Sequence, residues 1–458
     1  MRAQGVTLAR CGDPLQSARM PQPATTATAT DPHARASYTD RIGFVVELAT
    51  RLHTYGTTAQ RLEGAVGAVA RRLGLRCNPW SNPTGMILSF SDAQGRASAA
   101  GAGSAGAADA NTESPLLDTT QVIRLEPGST DLRKLCAADA IAEDVLAGTM
   151  DLASGSIALH ALDRPPGSRA LALETLSYGL AAASVAGLLR SSWLDIATSG
   201  VIGVLIGALH VAGLRRPRMQ EAEEAIAALI ATFLAAAVAT FWFPLTTKTV
   251  VIASIIVLMP GMMLTNAVSE LSSQHLVSGT ARFGGALAIL LKLTFGTVAA
   301  MQFVKLLGWH PHEATSHHVA RWVEVVALVV ASYSFAALFR AHRRDYLIVM
   351  ASAWLGYGVT RWAGAELGND AGVFFGSVVI SAASNAYARW ANRPGALVRV
   401  PGIVLLVPGS VGFRSLTFVL ERDLILGLNT AVAVLTVLVA LVAGVLFGNL
   451  LIPARRNL

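Results

Sequence analysis

Two short stretches hold residue types able to handle a small polar solute inside an otherwise apolar chain. The first is Leu258–Gly279, LMPGMMLTNAVSELSSQHLVSG, where Pro260-Gly261 ends an apolar run that begins at Val250. Thr265 and Asn266 follow about one turn later. The second is Leu406–Gly427, LVPGSVGFRSLTFVLERDLILG, with Pro408-Gly409 followed by Ser410. The two align without a gap: Leu258, Pro260, Gly261, Leu276 and Gly279 meet Leu406, Pro408, Gly409, Leu424 and Gly427 at one constant offset. Proline removes a backbone donor and clashes with the preceding turn, and glycine relaxes the chain. In lipid such a break persists only where protein or a water-lined cavity satisfies the freed groups. A single Pro-Gly reads as a packing kink, since both residues are common in membrane helices. Its return at a matching position points instead to a carrier's binding site. Unwound carbonyls, hydroxyls and an Asn amide supply the donors and acceptors that an amino-acid zwitterion requires. Thr265 and Asn266 serve equally well as interhelical hydrogen-bonding residues.

Ionisable residues within apolar runs are the next candidates. Lys292 suits a carboxylate or an internal ion pair, and can also extend its ammonium to the interface. Glu174 and Asp195 lie near the ends of apolar runs; buried, either could relay a proton, because burial raises a carboxyl pKa. Arg414 suits attraction of carboxylates toward an outer cavity, or only flanks the membrane. His310, His312, His317 and His318 share one loop, yet Glu313 is the only nearby carboxylate and no thiolate is present, so a solvated loop is favoured over a metal site. Asn385 reads as interhelical glue. No metal-ligand set, phosphate-binding loop or nucleophile elbow occurs, which argues against an enzyme and calls for no cofactor.

The elements that must position these residues are mostly membrane helices. The chain of 458 residues is 53% hydrophobic and 14% charged, and apolar runs of about 20 residues crowd its second two-thirds. The formal charge of +7 comes from arginines in short loops, the placement of topology determinants rather than of a nucleic-acid face. Cys11, Cys77 and Cys136 all precede the first run, an odd and widely spaced set that suits reduced thiols. Residues 1–37, rich in Ala, Thr, Pro and Arg at their start, are expected to be a disordered tail, and residues 38–163 read as a small cytosolic α/β domain. Within it we expect one long amphipathic helix over Arg41–Leu75, dented at Gly56. Strands at Arg76–Trp80 and Met86–Phe90 flank an Asn-Pro-Thr-Gly turn, and a third follows at Gln121–Leu125. Gly95–Thr112 reads as a flexible insertion. A helix that Ser129, Thr130 or Asp131 can cap runs to about Leu146, and another covers 152–162. Glu47, Arg61 and Glu63 are candidates for an ion network.

After a linker at 164–169, spans are expected near 170–189, 193–213, 223–243, 249–268, 283–307, 322–339, 346–363, 371–388, 398–416 and 424–451. The fourth and ninth carry the breaks. Arginine clusters at 215–218, 340–344, 389–399 and 455–456 each follow an even-numbered span, which puts both termini in the cytoplasm. Five spans separate the two breaks, so the halves, 170–320 and 321–458, have inverted topology. The fold class is therefore mainly α: a polytopic helical membrane protein of about ten spans in two inverted five-span repeats, with a small N-terminal cytosolic α/β domain.

From Tyr38 onward the chain resembles the bacterial threonine/serine exporter family. The likeness rests on FVVELATRLHTYGTTAQRLEGAVGAVARRLGL, VIRLEPGSTDLRKL, PGMMLTN with LVSGTARFGGAL, and PGIVLLVPGS. It implies a bacterial inner-membrane carrier that exports threonine and serine on the proton gradient, with membrane lipid around it and room for a homo-oligomer. Pro260, Gly261, Asn266 and Pro408-Gly409-Ser410 match the family's most recognisable motifs. Met262-Met263 departs from the usual pattern and opens the question of substrate. Two other readings stay open. One is a carrier of another small metabolite or dicarboxylate; the other is a membrane sensor or enzyme acting through the cytosolic domain.

Overall fold

A computed structural model describes residues 36–92, 118–314, 319–420 and 423–453. Residues 1–35 of the expected tail, the Gly/Ala insertion, His317, His318 and the last arginine pair lie outside the described residues.

The N-terminal unit begins with α1 (Tyr38–Thr54) and α2 (Ala59–Arg72). These correct the single long helix expected here. Gly56 adopts a φ of +81°, so the chain turns where a dent was anticipated. A three-stranded antiparallel sheet follows in the order β1 (Leu75–Asn82), β2 (Gly85–Asp92), β3 (Thr119–Arg124). Pro79 opposite Leu88 and Asn82 opposite Gly85 fix the register of the first hairpin. Helices α3 (Leu132–Leu146) and α4 (Leu152–Ala161) start at Asp131 and Asp151, whose carboxylates accept from backbone N–H groups three residues on. Phe44, Leu48, Leu62, Val66, Leu88 and Phe90 fill the core between helices and sheet. The proposed ion network does not form as such. Glu47 pairs with Arg51 at 2.6 Å, whereas Glu63 binds Ser81 and His275.

The remainder is helical: α5 (Ser168–Leu188), α6 (Trp193–Gly213), α7 (Pro217–Glu221), α8 (Glu223–Phe241), α9 (Thr247–Ser254), α10 (Gly261–Ser272), α11 (Leu276–Leu306), α12 (Arg321–Leu338), α13 (Tyr346–Leu367), α14 (Asn369–Ala391), α15 (Ala396–Val404), α16 (Gly409–Leu420) and α17 (Leu424–Leu451). Eight stretches are long and apolar enough to cross a membrane, or nine when α9 and the bent segment after it count as one, among the described residues. The span expected near 346–363 coincides with α13, which is long enough but less apolar than the others. Where α5 crosses α6, a Cβ on Gly203 would meet Ala182 Cβ at 2.7 Å and the Tyr178 carbonyl at 2.9 Å. Small residues let these two backbones approach, as membrane packing requires.

The N-terminal unit docks on the helical part at two places. Ala59 N–H donates to Glu270 Oε1 at 3.0 Å, and Glu63 lies 3.2 Å from His275. Glu270 is almost fully buried and also accepts from Ser278 and Arg282. At the second place Leu132 N–H donates to the Phe339 carbonyl at 3.0 Å, and the Leu132 side chain sits among Ala336, Val349 and Leu397. Nearby, Asp345 takes two bonds from Arg393 at 2.6 and 2.8 Å, which hold its carboxyl below the ordinary range.

Candidate functional site

The two Pro-Gly stretches fold alike. Helix α9 stops at Ser254, one turn of 3-10 helix covers Ile256–Leu258, and α10 starts at Gly261. Met259 is extended, as a proline next in sequence disfavours the helical region. Gly261 N–H then turns back to the Met259 carbonyl at 2.8 Å. In the second stretch Gly409 N–H bonds the Val407 carbonyl at 3.0 Å. The preceding bonds also correspond: Leu258 to Ile255, and Leu406 to Ile403. So do those that start each new helix, Leu264 to Pro260 and Gly412 to Pro408. Further on, His275 to Glu270 matches Asp423 to Phe418. The aligned sequences thus make one local structure twice. The first break bends its helix pair by 54°, whereas Ala396–Leu420 passes as one straighter segment.

The breaks touch. A Cβ on Gly261 would lie 2.5 Å from Val407 Cγ1 and 3.5 Å from Gly409 Cα, and a Cβ on Gly409 would lie 3.3 Å from Gly261 Cα. A side chain at Gly261 would overlap Val407, and one at Gly409 would crowd Gly261. Both new helices present their N-termini here, where free N–H groups and the helix dipole favour negative charge.

Beside the contact lies a cavity of about 470 Å³. Its walls include Met259, Gly261 and Met262 from one break and Val407, Gly409 and Ser410 from the other. Glu174, Tyr178, His210 and Arg340 bring the polar chemistry, and Ser129 and Thr130 reach in from the N-terminal unit. Arg340 follows α12 in a left-handed turn with φ of 51°. Its guanidinium donates to both oxygens of Glu174, at 3.1 and 3.0 Å. His210 Nε2 stands 3.8 Å from Glu174, and His210 Nδ1 is 2.7 Å from Glu223 Oε1. Tyr178 stacks on the His210 ring. Two carboxylates, an imidazole and a guanidinium therefore form one chain of contacts that ends at the cavity. Such a chain can bind both ends of a zwitterion and carry a proton between carboxylates.

The structure gathers Gly261, Gly409, Ser410 and Glu174 at this cavity, with Pro260 and Pro408 shaping the breaks. Thr265 is buried beneath, its hydroxyl bonded to the Gly261 carbonyl at 3.2 Å. Asn266 is half-buried on the same helix and is not among the cavity walls. Lys292 is elsewhere: its ammonium donates to the Glu221 carbonyl at 2.7 Å and pairs with Glu224. Arg414 lines a different cavity of about 340 Å³, with Lys248 and Glu313 in the same wall. Asp195 is fully buried and its oxygens accept from the backbone N–H groups of Thr246 and Ser192. It pins the loop before α9 to the start of α6. Asn385 binds Asn449, Arg399 and the Ile452 carbonyl, the glue expected of it. Among the described residues no cluster suits a metal ion.

His210, Glu223, Tyr178 and Arg340 were not selected from sequence. A signal for the first two existed. His210 falls in the last turn of one apolar run and Glu223 in the first turn of the next, so a short connection sets them side by side. Arg340 reads in sequence as one of a loop's topology arginines, and only its left-handed turn sends it back to Glu174.

Two models of the threonine/serine exporter family match the chain, over residues 43–304 and 324–451. The pheromone-regulated membrane protein 10 of Zygosaccharomyces rouxii is 23% identical over 390 residues, 83% of this chain and 37% of that protein. Its Saccharomyces cerevisiae counterpart is 23% identical over 394 residues, covering 83% of this chain and 48% of the relative. In Candida albicans the figures are 23% over 414 residues, 86% and 34%. The chain spans less than half the length of these curated relatives. No solved structure matches.

Proposed function

The chain belongs to the threonine/serine exporter family, and on that premise we propose that it is a secondary carrier exporting small hydroxylated amino acids with a proton as the coupled ion. It is a multi-pass membrane protein; the bacterial inner membrane, cytoplasmic termini and two inverted five-span halves belong to the proposal. The observation that carries it is the contact of the two Pro-Gly breaks beside a cavity walled by Glu174, His210 and Arg340.

In this reading the substrate carboxylate meets the two helix N-termini and Arg340, while its ammonium takes the place of Arg340 at Glu174. Ser410 bonds the side-chain hydroxyl. A proton arriving on Glu174 ends its attraction to both Arg340 and the ammonium, so proton binding and substrate release are linked. His210 and Glu223 supply the path. The halves then pivot about the glycine contact to expose the cavity on the opposite side.

The test is flux in vesicles holding the purified chain, with labelled threonine, serine and a dicarboxylate, with and without a proton gradient. Threonine and serine should move against their gradients only when protons flow, and the dicarboxylate should not. Equal background flux for all three overturns the proposal.

A further inference from the structure

A second cavity, about 250 Å³, adjoins the first and shares Glu174 and Arg340 with it. Three parts of the molecule build it: the start of α3, the linker running into α5, and the turn between α12 and α13. Six cationic side chains line it against two carboxylates, Asp131 and Glu174. Of the six, Arg133, Arg164, Arg169 and Arg343 make no ion pair among the described residues. All four are solvent-exposed side chains at this cavity, and none is paired to a carboxylate among the described residues. Glu174 is already taken by Arg340. Asp131 is 3% exposed; its Oδ1 caps α3, and its Oδ2 is buried with no hydrogen-bond partner. The chamber thus offers a strongly positive field together with one buried acceptor that lacks a donor.

We propose that this chamber binds a phosphate group carrying a hydroxyl: the phosphate meets the arginine forks, and the hydroxyl donates to Asp131 Oδ2. Guanidinium forks match phosphate oxygens, and an isolated buried carboxylate oxygen requires a donor. Arg169 lies in the first turn of α5, a membrane-length helix, so the chamber sits at headgroup height. Basic pockets at that height take anionic lipid headgroups. Phosphatidylglycerol has both groups, and so does free hydrogenphosphate. Either ligand would tie the N-terminal unit to both halves of the helical part and compete with Glu174 for Arg340.

The full chain, stripped of lipid in detergent, is incubated with phosphatidylglycerol, phosphatidylcholine or inorganic phosphate. Native mass spectrometry reads bound lipid, and the melting midpoint reads stabilisation. Phosphatidylglycerol should be retained over phosphatidylcholine and be displaced by inorganic phosphate. The combined variant Arg164→Gln, Arg169→Gln, Arg343→Gln should bind about fivefold less per cation removed, roughly a hundredfold in all. Arg215→Gln, Arg216→Gln, Arg218→Gln removes as many exposed charges outside the chamber and should bind as the parent does. A midpoint raised by inorganic phosphate alone, and lost in the first variant, supports the site with a free anion as its ligand. Equal retention of the two lipids with no response to phosphate overturns the proposal, as does equal loss in both variants. Neither readout depends on transport.

Discussion

Replacing Glu174 by Gln leaves Arg340 without its carboxylate and removes the group we propose carries the proton at the cavity. Gradient-driven threonine flux should then disappear while threonine-for-threonine exchange persists, since exchange needs binding and the conformational step but no net proton movement. Unchanged driven flux removes Glu174 from the coupling. Ser410→Ala should weaken threonine transport by about tenfold to a hundredfold, the loss of one bond of roughly 1–3 kcal/mol in a buried site. Asp139 offers a pH test away from the membrane. Burial first, and then repulsion from Glu143, push its carboxyl up to about 7. An unfolded aspartate ionises near 3.9, roughly three units lower. Between those values folding must take up a proton, so stability falls as pH rises and levels off above the folded value. Asp139→Asn should flatten that fall and raise stability at pH near 8 by about 2–4 kcal/mol, at about 1.4 per unit. Parallel melting curves of parent and variant across this range would refute the assignment.

At the scale of elements, the breaks depend on two glycines having no side chain. Gly261→Val places atoms where Val407 Cγ1 already stands, and Ala at both Pro260 and Gly261 restores a continuous helix. Each should stop transport, with overpacking in the first costing about 1–3 kcal/mol in stability. A well-expressed variant with normal export would show that the breaks serve packing alone. These breaks were legible because Pro and Gly act on the local backbone, so sequence alone carries their effect. The strands, the capped start of α3 and the apolar helices were legible for the same reason. The split of α1 from α2 was less so: Gly56 reads as a dent until Ser129 and Thr130 are seen packed against it, a contact between residues distant in sequence. Lys292 and Asp195 were legible only in part for a related reason. An ionisable residue in an apolar run announces a need for a partner without saying which: Lys292 found the Glu224 carboxylate and the Glu221 carbonyl, and Asp195 the backbone N–H groups of Thr246 and Ser192. His210 and Arg340 acquire meaning only once the helix ends meet.

For the whole molecule, sidedness is the first question. In a chain with Cys11, Cys77 and Cys136 replaced, a cysteine at His310 should react with an impermeant reagent added outside intact cells, and one at Arg344 should not. Reaction of both from one side would dismantle the inverted arrangement. The N-terminal unit raises a second question, because it grips α10 through Ala59 and the end of α12 through Leu132. Leu132→Ala should weaken its seating by about 2–5 kcal/mol, seen as earlier protease cleavage of the unit. Deleting residues 1–165 should leave measurable exchange; loss of all flux from a folded, inserted chain would favour a unit that is itself the active part.

The contact between Gly261 and Gly409 also bears on heredity. Gly261 must stay bare because Val407 of the other half stands against it, and both halves wall the cavity, so neither half of the chain owns it. Two separately translated pieces, 1–314 and 319–458, should each be inert when produced alone and regain export when produced together. A side chain added to one piece would spoil a partner whose own sequence is intact. A gene cut at this point would behave as two genes bound to a common fate.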